Sequence, residues 1–175
     1  MDSALDLGLF IVRLALGPML ILHGYNKVFG SGGLEGTTRW FAGLGLKPAW
    51  LHARIAPVNE IGAGLLLTLG LLTPLACAAF VGLMTVASLT DHRGKGYFVF
   101  KGGWEYTLLV GMVAVGLAAM GPGDWSLDHA FGWEPQGWGW ALGAAVVGVV
   151  AAAGLLAVSY RPEKKDAEPV PASEP

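Results

Sequence analysis

The chain has 175 residues, of which 54% are apolar and only 14% charged, and its mean hydropathy is +0.55. A soluble domain of this size carries about 25% charged residues, so the excess apolar surface calls for a solvent other than water. The net charge of −2 argues against a nucleic-acid partner, and the single cysteine, Cys77, excludes an intramolecular disulfide, a CxxC redox pair and any multi-cysteine metal site.

Five apolar stretches follow in chain order, approximately 5–22, 55–72, 74–90, 106–120 and 138–160. A hydrocarbon core takes about 20 helical residues, with about 17–25 as the working range, so flanking polar residues must complete the third and fourth. The runs are continuous rather than alternating and rich in Ala, Leu and Gly, which favours helices over a β-barrel. The expected fold is all-α, a transmembrane helix bundle over residues 1–160, followed by a disordered, charged and proline-rich tail over 161–175. Thr73 is expected to cap, and Pro74 to open, the helix after the second span, giving a tight helical hairpin. The alternative, one kinked helix of ~36 residues, is too long for a single crossing. No cleavable signal peptide is expected, because the stub before Leu5 lacks basic residues and Arg13 interrupts the apolar run.

Basic residues give the bundle a direction. Lys27, Arg39, Lys47 and Arg54 follow the first span, Arg93, Lys95 and Lys101 the third, and Arg161, Lys164 and Lys165 the fifth. The N-terminal stub, the Thr73 turn and the 121–137 loop hold none. Since Lys and Arg concentrate on the cytoplasmic side, five crossings are expected, with the N-terminus outside and the C-terminus cytoplasmic. A four-span arrangement would strand one basic segment or discard the apolar run 141–158. Trp40, Trp50, Trp104, Trp125, Trp133, Trp138 and Trp140 all fall at span boundaries or in loops, where interfacial anchoring accounts for them.

Ionisable groups in or beside the spans are costly unless paired or wetted. Arg13 lies near the middle of the first span and His23 closes it. Asn59 and Glu60 enter the second after Pro57, Asp91 and His92 end the third, and Glu105 opens the fourth. At about 100° per residue, Arg13, Gly17, Leu20, Gly24 and Lys27 share one stripe, with His23 a quarter turn away. Thr85, Ser88 and His92 form a second stripe, and Glu60 shares a face with Gly64, where glycine permits close approach. These faces are expected to enclose a small polar pocket toward the cytoplasm, formed by Arg13, His23, Lys27, Asn59, Glu60, His92 and Glu105. Arg13 is expected to pair with Glu60, with Glu105 as second choice. Plainer roles stand beside these. Asp91 and Lys27 can meet headgroups or cap carbonyls, and Glu60 and Glu105 in first turns suit the helix dipole. Cys77 reads as a small apolar residue, and Gly139 and Gly143 fit a close helix contact. No metal is assigned, because the His and carboxylate groups come from separate helices without ExxH spacing. The glycine-rich 30–36 segment lacks the Lys-Ser/Thr of a phosphate loop.

Several short elements recur in a recognisable order. They are the Arg13 span ending in His23-Gly24 and Lys27, then Gly43-Leu44-Gly45-Leu46 before Pro48, then Glu60-Ile61-Gly62-Ala63-Gly64 leading to Leu69-Gly70-Leu71-Leu72-Thr73-Pro74. His92, Trp104-Glu105 and Ser126-Leu127-Asp128 follow. In these elements, spread over about three-quarters of the chain, the sequence resembles the DoxX family of small multi-pass bacterial membrane proteins. The resemblance implies a four-helix core in a bacterial plasma membrane, from which the fifth span and the tail depart. It also implies a link to thiosulfate:quinone oxidoreduction and to membrane oxidoreductase complexes handling thiol stress. His23, Glu60, His92 and Glu105 would then be the proton-handling groups nearest a quinone or sulfur-compound site. With one cysteine, electrons would pass through a bound quinone or a redox protein partner. Three readings remain open: a redox-associated subunit with a quinone pocket, a non-catalytic binding or scaffold protein for a lipid-like ligand, a partner or a second copy, and a proton or solute pathway.

Overall fold

The computed structural model describes residues 3–162, so most of the expected tail lies outside the described residues. The described residues form seven helices: α1 (Ser3–Phe29), α2 (Gly33–Gly43), α3 (Ala49–Leu69), α4 (Thr73–Leu89), α5 (Glu105–Met120), α6 (Leu127–Ala130) and α7 (Trp138–Ser159). A single 3-10 turn, Val99–Lys101, precedes α5. All five apolar stretches are helical. α1 and α7 are each long and apolar enough to cross a membrane, while α4 and α5 are shorter apolar helices. Two boundaries differ from expectation. α1 continues to Phe29, which puts His23 inside the helix rather than at its end, and α3 starts at Ala49, which takes in Trp50, His52 and Arg54.

Successive long helices alternate in direction, so α7 runs parallel to α4, against which it packs. α1 runs against α3, with Arg13 at the Thr68 end of α3 and Lys27 at Glu60, nearer its start. α3 and α4 form the expected hairpin across residues 70–72, and α5 returns along α4, with Ser88 bonded to Thr107. The end of α7 meets the α2–α3 connection, where Lys47 N–H donates to Ser159 O and Arg161 N–H to Gly45 O. The bundle therefore has two ends. One, the turn end, holds the start of α1, the α3–α4 turn, α6 and its flanking loop. The other, the basic end, holds α2, the 90–104 loop and the last residues of α7. Every described Lys and Arg except Arg13 belongs to the basic end.

Close backbone approach holds the α1–α3 pair. A Cβ on Gly17 would stand 2.7 Å from Gly64 O, and one on Gly24 would stand 2.9 Å from Pro57 O. The stripe anticipated on α1 is indeed its inner face: Asp6, Leu9, Arg13, Gly17, Leu20 and Gly24 are buried. α7 packs on α4 through Gly148, where a Cβ would lie 2.6 Å from Ala78 O. Gly139 and Gly143 face open space instead, so the contact expected of them falls further along α7. Leu9, Leu20, Leu67, Phe80 and Leu117 fill the centre of the bundle. Outward faces stay apolar, with Ile11, Val58, Leu109, Met112 and Val150 exposed, as lipid contact requires.

The turn end is braced from a distance. Gly70 ends α3 in the left-handed region, φ 62°, and Leu72 follows at φ 49°, an uncommon conformation for leucine. Asp128 on α6 accepts hydrogen bonds from Leu72 N–H (2.7 Å) and Thr73 N–H (2.9 Å). The cap of α4 is thus a carboxylate supplied from 55 residues away, not the Thr73 hydroxyl, whose oxygen is buried without a partner among the described residues. Pro74 takes its expected place in the first turn.

Candidate functional site

A cavity of about 600 Å³ lies between the α1–α3 pair and the α4–α5–α7 group, with α2 bordering it at the basic end. Cavities of roughly 300–1,000 Å³ accommodate cofactor-sized molecules. The walls are mainly apolar and include Met19, Phe41, Leu44, Leu83 and Leu155. The size follows from the packing: α1 binds α3 through glycines, α4 binds α7 through Gly148, and α3 and α4 are joined by their short turn. What remains between the two groups is lined by small residues of α4 and α7, including Ala78, Ala79, Gly82, Gly148 and Ala151.

Five of the seven anticipated polar residues line this cavity: His23, Lys27, Asn59, Glu60 and His92. Lys27 donates to both carboxylate oxygens of Glu60, at 2.8 and 2.8 Å, and the two side chains are only 12% and 10% exposed. The Trp40 ring sits 5.7 Å from Lys27 Nζ and adds a cation–π contact. His23 Nδ1 lies 2.9 Å from Met19 O, and His92 Nδ1 lies 2.6 Å from Gly102 O. A carbonyl only accepts, so in both residues Nδ1 carries the proton, and Nε2 of the neutral ring is an acceptor. The anticipated stripe on α4 also divides. Ser88 bonds Thr107, Thr85 bonds back to Val81 O, and His92 alone of the three reaches the cavity wall.

Arg13 and Glu105 lie elsewhere. Arg13 is 1% exposed and donates to Thr68 O (3.3 Å) and Trp125 O (2.5 Å), with Asp128 as the acidic charge acting on it. It does not pair with Glu60. Helical side chains lean toward the N-terminus of their helix, which carries Arg13 to the turn end. Glu60 packs beside Gly24, eleven residues further along α1, a rise of about 16 Å in the opposite direction. Glu105 turns back on its own loop and accepts from Val99 N–H at 2.9 Å, so it shapes the 3-10 turn.

Among the cavity residues not singled out in the sequence, two carry polar groups of note, Tyr106 and His52. Tyr106, in the first turn of α5, donates its hydroxyl to Met19 Sδ. His52, 8% exposed, lines the cavity with Nε2 buried and unpartnered among the described residues. A buried polar atom left unsatisfied costs about 1–3 kcal/mol. Helical phase would have found His52, because it sits on the stripe of Ala56, Asn59 and Glu60 once α3 is allowed to begin at Ala49. No group of three or more His, Cys, Asp or Glu side chains among the described residues is arranged to hold a metal.

Comparison with known proteins agrees with the architecture. The DoxX family pattern matches residues 8–93. The chain is 32% identical over 130 residues to Inner membrane protein YphA of Escherichia coli, covering 69% of this chain and 88% of that one. It is 28% identical over 128 residues to "Putative oxidoreductase CatD" of Bacillus subtilis, covering 73% and 90% respectively. No solved structure matches it significantly. The helical bundle and these similarities together establish that the chain belongs to the DoxX family of membrane proteins.

Proposed function

We propose that the protein is a subunit of a membrane-associated oxidoreductase system and that the cavity binds a quinone or a similar apolar ring. The observation that carries this reading is the cavity itself, whose apolar walls suit a lipid-soluble molecule while His23, His52, His92 and the Lys27–Glu60 pair border it. A quinone, when bound, supplies two-electron, two-proton chemistry. The residues around it would bind the ring and move protons: Nε2 of His23 and of His92 can accept a proton in the neutral ring and return it, and Lys27 offsets the charge of Glu60. The word oxidoreductase in the name of the CatD relative points the same way. With Cys77 the only cysteine, and 0% exposed, electrons would enter from a partner protein or leave through the ring.

The basic end is proposed to face the cytoplasm, with the turn end and N-terminus outside, on the strength of the segregated Lys and Arg residues. Membranes containing the protein are expected to reduce added quinone faster in the presence of thiosulfate or a thiol donor. An unchanged rate in His92→Ala would count against a role for the histidines.

A second reading, a non-catalytic binding protein for a lipid-like ligand, is favoured by the predominance of apolar wall. Co-purified lipid from mild detergent, together with no donor-dependent quinone reduction, would decide for it.

A further inference from the structure

The cavity is polar at one end only. His23, Glu60, Asp91 and His92 border its part nearer the basic end, whereas Leu75, Ala78, Ala79, Val147 and Gly148, nearer the turn end, are apolar and mostly small. α1, α3 and α5 contribute only residues 19–27, 52–60 and 106–107, all toward the basic end, so beyond them the wall is reduced to α4 and α7. Along α4 it extends from Leu75 to Ala87, about 18 Å at 1.5 Å per residue, well beyond the span of a single ring.

The wall is also open on one flank. Leu75, Val147 and Ile55 line the cavity and yet are 56, 55 and 47% exposed. The three follow one boundary, between α3 and α7, with α4 as its floor. α7 packs on α4 and α5 and meets the α2–α3 connection only at its last turns, which leaves this flank uncovered. Val147 lies midway along α7, a helix long enough to cross a membrane, so the slot opens at the depth of hydrocarbon rather than water. A small hydrophilic solute has no path from that side and no polar partner along the apolar half. A lipid with a polar ring and a hydrocarbon tail matches both halves.

We propose that the cavity is loaded sideways from the bilayer, through the slot between α3 and α7, and that its ligand is a long-chain amphiphile. The polar head sits toward the basic end, and the tail lies along α4 past Ala79 toward Leu75. This rests on the quinone reading for the nature of the head and adds the tail, its place and the path of loading.

The test uses the full chain in phosphatidylcholine vesicles and, as probe, a benzoquinone whose decyl chain ends in a diazirine. Photolysis attaches the chain end to the residues it touches, and peptide mapping locates them. Label is expected on α4 around Leu75 and Ala79 and on α7 around Val147. Unlabelled decyl quinone in about tenfold excess should lower it about tenfold by mass action, and the same ring without a chain should compete far less well. Ala151→Phe, which puts bulk on an exposed wall position of α7, should lower the labelling severalfold. Labelling no stronger there than on outward-facing Leu109 and Met112, label gathered instead near His92, or unchanged labelling of a folded Ala151→Phe would each overturn the proposal. Equal competition by the chainless ring would also overturn it, while leaving the quinone reading in place. Decanol competing as well as the decyl quinone would support the slot and its tail site and overturn the quinone reading. Native labelling and the competitors decide the matter even if Ala151→Phe fails to fold.

Discussion

Lys27 Nζ stands 2.8 Å from each carboxylate oxygen of Glu60, joining the last turns of α1 to the middle of α3 at the edge of the cavity. Both side chains are about nine-tenths covered, so neither charge can exchange its partner for bulk water. Removing one member of such a pair costs about 3–5 kcal/mol, mostly because the other charge is left buried. Lys27→Met and Glu60→Gln are each expected to lower stability by about 3 kcal/mol, and the double variant by clearly less than their sum. Denaturant unfolding of the three variants in detergent measures this coupling. Reversing Arg13 and Glu60 together should rescue nothing, since the two are not partners.

Asp128 gives a second prediction. Its carboxylate takes two backbone N–H groups at the start of α4 and lies near Arg13. Hydrogen bonds to a charged group contribute about 1.5–3 kcal/mol each. Asp128→Ala should therefore be among the most destabilising substitutions in the chain, with Asp128→Asn intermediate because it keeps one acceptor. Thermal unfolding followed by far-ultraviolet circular dichroism should rank them in that order. Thr73→Val, which removes an unpartnered hydroxyl, should be near neutral.

Two glycines on one helix should behave oppositely. A Cβ on Gly64 would lie 2.6 Å from Gly17 O, whereas a Cβ on Gly62 would meet nothing within 4 Å. Gly64→Ala has to spread α1 from α3 and should cost about 1–3 kcal/mol, as overpacking does. Gly62→Ala should be neutral or mildly stabilising, because alanine favours the helix by up to about 1 kcal/mol. The same unfolding measurement separates the pair.

Orientation is open to labelling. Glu134→Cys at the turn end and Lys95→Cys at the basic end replace side chains that are 57% and 45% exposed. Native Cys77 is 0% exposed and should stay silent. In intact cells a membrane-impermeant maleimide is expected to modify Glu134→Cys and spare Lys95→Cys. The reverse pattern would put the N-terminus inside.

Much of the bundle was legible because apolar runs and helical phase are local signals. The inner face of α1, with Arg13, Gly17, Leu20 and Gly24, follows from 3.6-residue spacing alone. The partner of Arg13 was not legible, since it is the carbonyl of Trp125, a group every residue carries, supplied from 112 positions away. α2 escaped notice because its first residues are glycine-rich and polar and it packs as a short amphipathic piece against α1 and α3. His52 was hidden between Trp50 and Arg54, in a stretch that resembles a loop until Pro48 is recognised as the residue before a helix. Glu105 stood in a first turn as expected, but its carboxylate served the loop before it rather than the cavity.

The link from Arg13 to Trp125 also bears on where the chain may be divided. The family pattern stops at residue 93, yet the acceptor for Arg13, the brace on the α3–α4 turn and the α7 wall of the cavity all come from residues beyond it. A fragment cut at that boundary would carry a buried guanidinium with its best acceptor removed and a cleft open along one side. In this chain a fragment ending at residue 93 is therefore expected not to fold on its own, and the shortest piece worth expressing runs through the end of α7.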